Sequence, residues 1–148
     1  MHEHSGSIWS PRLRRVRPVY ERHLAGHAAR RAAFLSKDEF TVRSVREGGR
    51  ETLAAYGELD LSSAWELERE LRRAEATDAS EIVVDLGGLR FIDSAGMEVV
   101  IHASSRTCHH GKRLMIRRGP DAVHRTFERA GIAALLPFVA APGGTPLP

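Results

Sequence analysis

The side chain best placed to do chemistry in this sequence is the hydroxyl of Ser94, within Phe91-Ile92-Asp93-Ser94-Ala95-Gly96-Met97. The stretch follows an apolar run, Ile82-Val83-Val84 and Leu86, and precedes a segment whose apolar period switches to 3.6, so Ser94 falls at the start of a helix. Two uses of a serine suit that place. Its oxygen can accept from the exposed amides of the first turn, as a helix cap. The same amides, with the helix dipole, also favour a phosphoryl group, which carries roughly −1.5 to −2 charges and three acceptor oxygens. On spacing alone the cap is the commoner use. Asp93 would sharpen the electrostatic change on phosphorylation, and Gly96 would keep the turn open to a partner backbone. Ala95 leaves Ser94 as the only hydroxyl in the motif.

Other chemistries lack their residues. No G-x-S-x-G elbow surrounds Ser94, and no G-x-x-x-x-G-K-[ST] loop is present to cradle phosphates. His109-His110 and the scattered histidines lack metal-ligand spacing. A non-enzymatic chain with no catalytic residues, cofactor or metal is expected. Trp65, beside the inward stripe of its helix, is expected to meet either a partner or the N-terminal segment.

The elements that must hold Ser94 follow from pattern. Phe40 to Arg46 and Glu51 to Tyr56 read as strands of a hairpin, with Leu53 and Ala55 on one face and Gly48-Gly49 supplying the positive φ angles of the turn. Ser63 with Glu66 reads as a capping box ahead of Ala64, Leu67, Leu71 and Ala74 at helical spacing, the helix ending near Ala76. The apolar run at Ile82 predicts a short strand covered on both faces. In the helix from Ser94, Met97, Val100, Ile101, Ser104 and Cys108 are expected inward, with Glu98, His102, Ser105 and Arg106 away and Gly111 as the stop. A strand over Arg113 to Ile116 and a helix from Pro120, with Val123, Phe127 and Ala130 inward and Gly131 as its stop, complete the series, and Leu135 to Val139 forms a short closing element. The order predicts a mixed sheet, antiparallel at the hairpin and parallel across the helical crossovers.

The 148 residues suit one domain with extensions. Residues 1–37 form an Arg-rich extension, 38–141 the domain, and 142–148 a Pro/Gly-rich tail expected to be disordered. The net charge of +3 belongs to the extension: residues 1–36 hold seven arginines against Glu3 and Glu21, a net +5, while the remainder holds 15 basic and 17 acidic side chains, a net −2. No direct nucleic-acid contact is therefore expected of the domain. A single cysteine, Cys108, allows no intrachain disulfide, no apolar run approaches the ~20 residues of a membrane helix, and the N-terminus lacks a signal-like apolar core. A cytoplasmic protein without membrane contact is expected.

The stretch Ile82-Val83-Val84-Asp85-Leu86, Leu89 and Phe91 to Met97 closely resembles the signature of STAS domains, specifically the bacterial anti-sigma factor antagonists. Gly57-Glu58-Leu59-Asp60 ahead of the first helix, and Ala122-Val123 through Phe127 to Gly131-Ile132 in the last, agree in order and distance. The resemblance implies an α/β, STAS-like fold: a mixed four- to five-stranded sheet with helices mainly on one face. It implies an anti-sigma factor serine kinase as partner and phosphorylation target at Ser94, a PPM-type serine phosphatase that reverses the modification, and loss of binding in the phosphorylated form. By position it implies a partner surface of Asp60, Asp93, Ser94, Ala95, Gly96 and Met97. A non-switching STAS scaffold or transporter-accessory subunit is the alternative. Ala95 stands where the family commonly has a second hydroxyl residue, and the Arg-rich extension departs from its compact members.

Overall fold

The hairpin that opens the fold is built from two strands of opposite character. In a computed structural model that describes residues 39–139, β1 (Thr41–Glu47) is largely exposed, whereas β2 (Arg50–Leu59) alternates strictly, with Leu53, Ala55 and Leu59 inward. They pair antiparallel from Thr41–Tyr56 to Glu47–Arg50. Only one glycine of the turn, Gly48, takes the positive φ expected of both (59°). The N-terminal extension and the tail lie outside the described residues.

Helix α1 (Ala64–Glu75) leads to β3 (Glu81–Ile92), α2 (Ser94–His109) to β4 (Arg113–Arg117), and α3 (Asp121–Arg129), with a 3-10 turn at Ala133–Leu135, to the two-residue β5 (Phe138–Val139). The sheet order is β1-β2-β3-β4-β5, with every pair after the hairpin parallel. Each helical crossover thus advances one strand. The apolar stripes of the three helices join Leu53, Ala55, Ile82, Val84, Leu114 and Ile116 in one core on one side of the sheet. Both glycine stops act as read. Gly111 and Gly131 take φ of 76° and 75°, and the paired bonds Lys112 N–Thr107 O with Gly111 N–Cys108 O, and Ile132 N–Phe127 O with Gly131 N–Glu128 O, close both helices.

Four expectations are corrected. The strand at Ile82 runs on to Ile92, because after a register shift past Leu86 and Gly87 the pairing with β2 resumes at Gly88–Tyr56 and continues, across a second shift, to Ile92–Leu59. A Cβ on Gly88 would lie 2.3 Å from the Tyr56 ring and 2.8 Å from the Ala55 carbonyl, so this passage requires glycine. Ser63 does not cap α1: its hydroxyl is buried, donates to the Glu58 carbonyl (2.7 Å) and accepts from Asp60 N (3.0 Å), closing the preceding loop instead. On α2 the buried arc includes His102 and Arg106, while Ile101 and Ser104 are half-buried and Cys108 is exposed. The helix packs on α1 as well as the sheet, and Arg106 is buried because it donates to Glu75 through Nε and Nη2 (both 2.8 Å) and to Glu68 through Nη1 (3.1 Å). On α3, His124 is inward beside Phe138, and Ala130 is exposed at the helix end.

Candidate functional site

Parallel strands place their C-terminal ends on one edge of a sheet, and here the ends of β2 and β3 are tied together. Asp93 N donates to the Leu59 carbonyl at 3.1 Å, and Ile92 beneath is buried. Asp93 leaves the strand in an extended conformation, and its Oδ1 accepts from Ala95 N (2.9 Å) and Gly96 N (3.2 Å). Its other oxygen accepts from Leu61 N at 3.2 Å, in the loop between β2 and α1. One carboxylate therefore caps α2 and clamps the neighbouring loop.

That arrangement corrects the reading of Ser94 as the cap. Ser94 is the first helical residue, exposed, and its hydroxyl makes no hydrogen bond within the described residues. The physical reason lies in valence. A hydroxyl at Asp93 would fill the cap alone, whereas a carboxylate has a second oxygen for Leu61.

The other motif residues turn inward. Ala95 and Met97 belong to the core, and Gly96 is buried where a Cβ would meet Leu59 Cγ at 2.7 Å, the Leu59 carbonyl at 2.8 Å and Ile92 Cγ1 at 2.9 Å. Gly96 thus serves a close approach within the chain, of α2 onto the strand ends. Asp60 holds its own loop: Oδ1 accepts from Ser62 N (2.9 Å) and Ser62 Oγ (2.6 Å), and its carbonyl accepts from Ser63 N and Ala64 N. Through Leu61 this loop lies against Asp93. The structure brings Asp60, Asp93 and Ser94 to one edge and places Ala95, Gly96 and Met97 beneath it.

Two residues at this edge escaped the sequence reading. Phe91 is 48% exposed despite standing in an apolar stretch. The register shift that steps past Arg90, from Gly57–Leu89 to Glu58–Phe91, puts Phe91 opposite the exposed Glu58, away from the core side occupied by Leu89 and Ile92. Glu98, one turn beyond Ser94, is half-buried and makes no hydrogen bond or ion pair with the described residues. Its own burial, then the charge of Asp93, holds its carboxyl above the usual range. The i, i+4 spacing from Ser94 was the available signal for Glu98. No signal in the sequence marks the bulge. Trp65 is half-buried with the Arg69 guanidinium 4.9 Å over its ring. Among the described residues, no group of three or more His, Cys, Asp or Glu is placed to hold a metal. No helix there is long and apolar enough to cross a membrane.

A family model described as "Mlab, STAS domain" matches residues 42–137, nearly all of the described structure. The chain belongs to the STAS domain family. Its similarity extends to the anti-sigma-F factor antagonist RsfB of Mycobacterium tuberculosis, 28% identical over 82 residues that cover 55% of this chain and 67% of that relative. In fold, this STAS domain resembles an anti-sigma factor antagonist from Mycobacterium paratuberculosis (TM-score 0.61, 20% identity, 74% of this chain and 91% of that one). It also resembles the anti-sigma factor antagonist SpoIIAA in its unphosphorylated form (TM-score 0.58, 18% identity, 71% and 90%). The five-stranded mixed sheet with three helices is thus a STAS fold, and the sequence is homologous to anti-sigma factor antagonists.

Proposed function

We propose that this STAS domain is an anti-sigma factor antagonist: unphosphorylated, it binds an anti-sigma factor that is also a serine kinase and releases the sigma factor, and phosphorylation of Ser94 ends the binding. The observation that carries the proposal is the free, exposed Ser94 hydroxyl at the head of α2, released from capping by Asp93. The kinase supplies nucleotide, magnesium and base. The bond from Ser94 Oγ to the γ-phosphorus forms as the bond to the β-phosphate oxygen breaks, the hydroxyl proton passes to the kinase base, and ADP departs. A PPM-type phosphatase reverses the change by attack of water on phosphorus. The domain contributes the hydroxyl and its placement, and is itself no enzyme. A cytoplasmic location fits these partners.

The energetics favour a switch. A phosphoryl group on Ser94 stands beside Asp93 and one turn from Glu98. At about 6 Å, a doubly charged phosphate and one carboxylate repel by roughly 1 to 5 kcal/mol as the effective dielectric constant falls from about 80 to about 20. The kinase's nucleotide phosphates must also face the acceptor hydroxyl for in-line transfer. Once moved to Ser94, the phosphoryl group confronts them with like charge. Ala95, Gly96 and Met97 support this surface from beneath, while Asp60, Asp93 and Ser94 form it.

Incubation with the cognate kinase and ATP should label the wild type and dissociate the complex. Label that persists in Ser94→Ala would assign the site elsewhere. The alternative, a non-switching STAS scaffold or transporter-accessory subunit, predicts instead that Ser94→Asp leaves partner binding intact.

A further inference from the structure

With Ala95, Gly96 and Met97 buried, the Ser94 edge offers few side chains that a partner can touch. Phe91 is the large apolar one nearest in the chain, and Glu98 is a carboxylate with no hydrogen bond or ion pair among the described residues. In the chain Phe91 precedes Ser94 by three residues and Glu98 follows it by four. Three residues of chain limit Phe91 to about 11 Å from Ser94 between Cα atoms, and one helical turn separates Ser94 from Glu98 by about 6 Å. Such a span lies well inside one partner's share of a standard interface, roughly 800 Å².

Each residue is poorly provided for in the free chain. Nearly half of Phe91 is exposed to water, although aromatic side chains contribute most when enclosed by a partner's pocket. Glu98 is half-buried beside Asp93, where burial and a like charge both disfavour its ionised form and no cation of the described residues offsets them. A partner that encloses the ring and brings a cation to Glu98 relieves both. Because a kinase must hold nucleotide phosphates opposite Ser94, its rim carries basic groups.

We infer that Phe91 and Glu98 are contact residues, on either side of Ser94 in the sequence, and that they fit a partner presenting an apolar slot next to a lysine or arginine. This rests on the kinase-docking reading above and names the footprint of that same site. Leu135, at 78% the most exposed large apolar residue described, lies beside the start of β5, on the edge opposite to the Ser94 turn, and lies outside the footprint.

The test measures binding of the full chain to the kinase that labels Ser94, in the unphosphorylated state, for wild type, Phe91→Ser, Glu98→Gln, Leu135→Ser and Ser94→Asp, with urea unfolding midpoints for each. Phe91→Ser should weaken binding about 30-fold with little change in midpoint. Glu98→Gln should weaken it about 3- to 10-fold at low salt and less at 0.5 M salt. The same change should leave the unfolding midpoint equal or higher, since it removes an unfavourably placed charge; a merely structural residue would lose both together. Leu135→Ser should bind as wild type does. If Ser94→Asp abolishes binding while Phe91→Ser and Glu98→Gln bind like wild type, the docking site stands and this footprint is wrong. If no label reaches Ser94 and Ser94→Asp binds normally, the kinase-docking reading falls and the footprint falls with it.

Discussion

Replacing Asp93 with alanine, and Ser94 with alanine beside it, separates the two accounts of how α2 begins. If the serine caps the helix, Ser94→Ala costs about 1 kcal/mol and Asp93→Ala little. The geometry reverses this. Asp93→Ala removes an acceptor from Ala95 N and Gly96 N and from Leu61 N. The cap contributes about 1 kcal/mol and the charged hydrogen bond to the partly buried Leu61 amide about 1 to 1.5 more, so the loss is about 2 to 2.5 kcal/mol. Ser94 is exposed and unbonded, and its replacement falls within about 0.5 kcal/mol of wild type. Asp93→Ser adds a third comparison: a hydroxyl can fill the cap but cannot also reach Leu61, so the expected loss is about 1 kcal/mol. Urea unfolding followed by far-ultraviolet circular dichroism resolves these steps, because near 2 kcal/mol per molar each kcal/mol moves the midpoint by about 0.5 M. Equal midpoints for Asp93→Ala and wild type, or a larger loss in Ser94→Ala than in Asp93→Ala, would refute the assignment of the cap.

Two further outcomes follow from buried polar groups. Arg106→Met leaves Glu68 and Glu75 facing a buried methionine, and should cost about 3 to 5 kcal/mol in chemical denaturation. Adding Glu75→Gln should recover part of that loss, and no recovery would show that packing, not charge, sets the cost. His124 is buried against Phe138 (ring centroids 4.7 Å), and its burial, then Arg118, holds its pKa below the usual 6.5. The native state therefore resists a proton that the unfolded chain accepts. The stability due to neutral His124 is complete above pH 6.5 and declines as pH falls through 6.5 toward the lower native value. Unfolding midpoints between pH 7.5 and 5.5 should fall more steeply for wild type than for His124→Leu, and parallel slopes would remove His124 as the cause.

Local order was readable along the chain because periodicity and turn residues act over a few positions. The hairpin, the succession of helices and parallel strands, and the glycine stops at Gly111 and Gly131 all correspond to short-range rules. The place of Ser94 at a strand-to-helix junction was equally plain. Which residue caps that helix was not, since Asp93 and Ser94 are both good caps and adjacent. The choice rests on Leu61, brought within reach of the second carboxylate oxygen only when β2 and β3 lie side by side. The inward face of α2 was misread for a related reason. A helix that packs on a sheet and a second helix buries more than one stripe, and Arg106 is drawn inward by Glu68 and Glu75 from α1.

The sequence by itself determined the order of the elements, a mixed sheet with parallel helical crossovers, and the place of Ser94 at a strand-to-helix junction, because each follows from chain-local pattern. Tertiary structure alone decided that Asp93 takes the capping bonds and leaves Ser94 free. It also decided that Gly96 is consumed by packing against Leu59, and that a register shift at Arg90 turns Phe91 outward beside Glu58. Those outcomes depend on which strands become neighbours and in what register, and that information is spread over residues more than 30 positions apart.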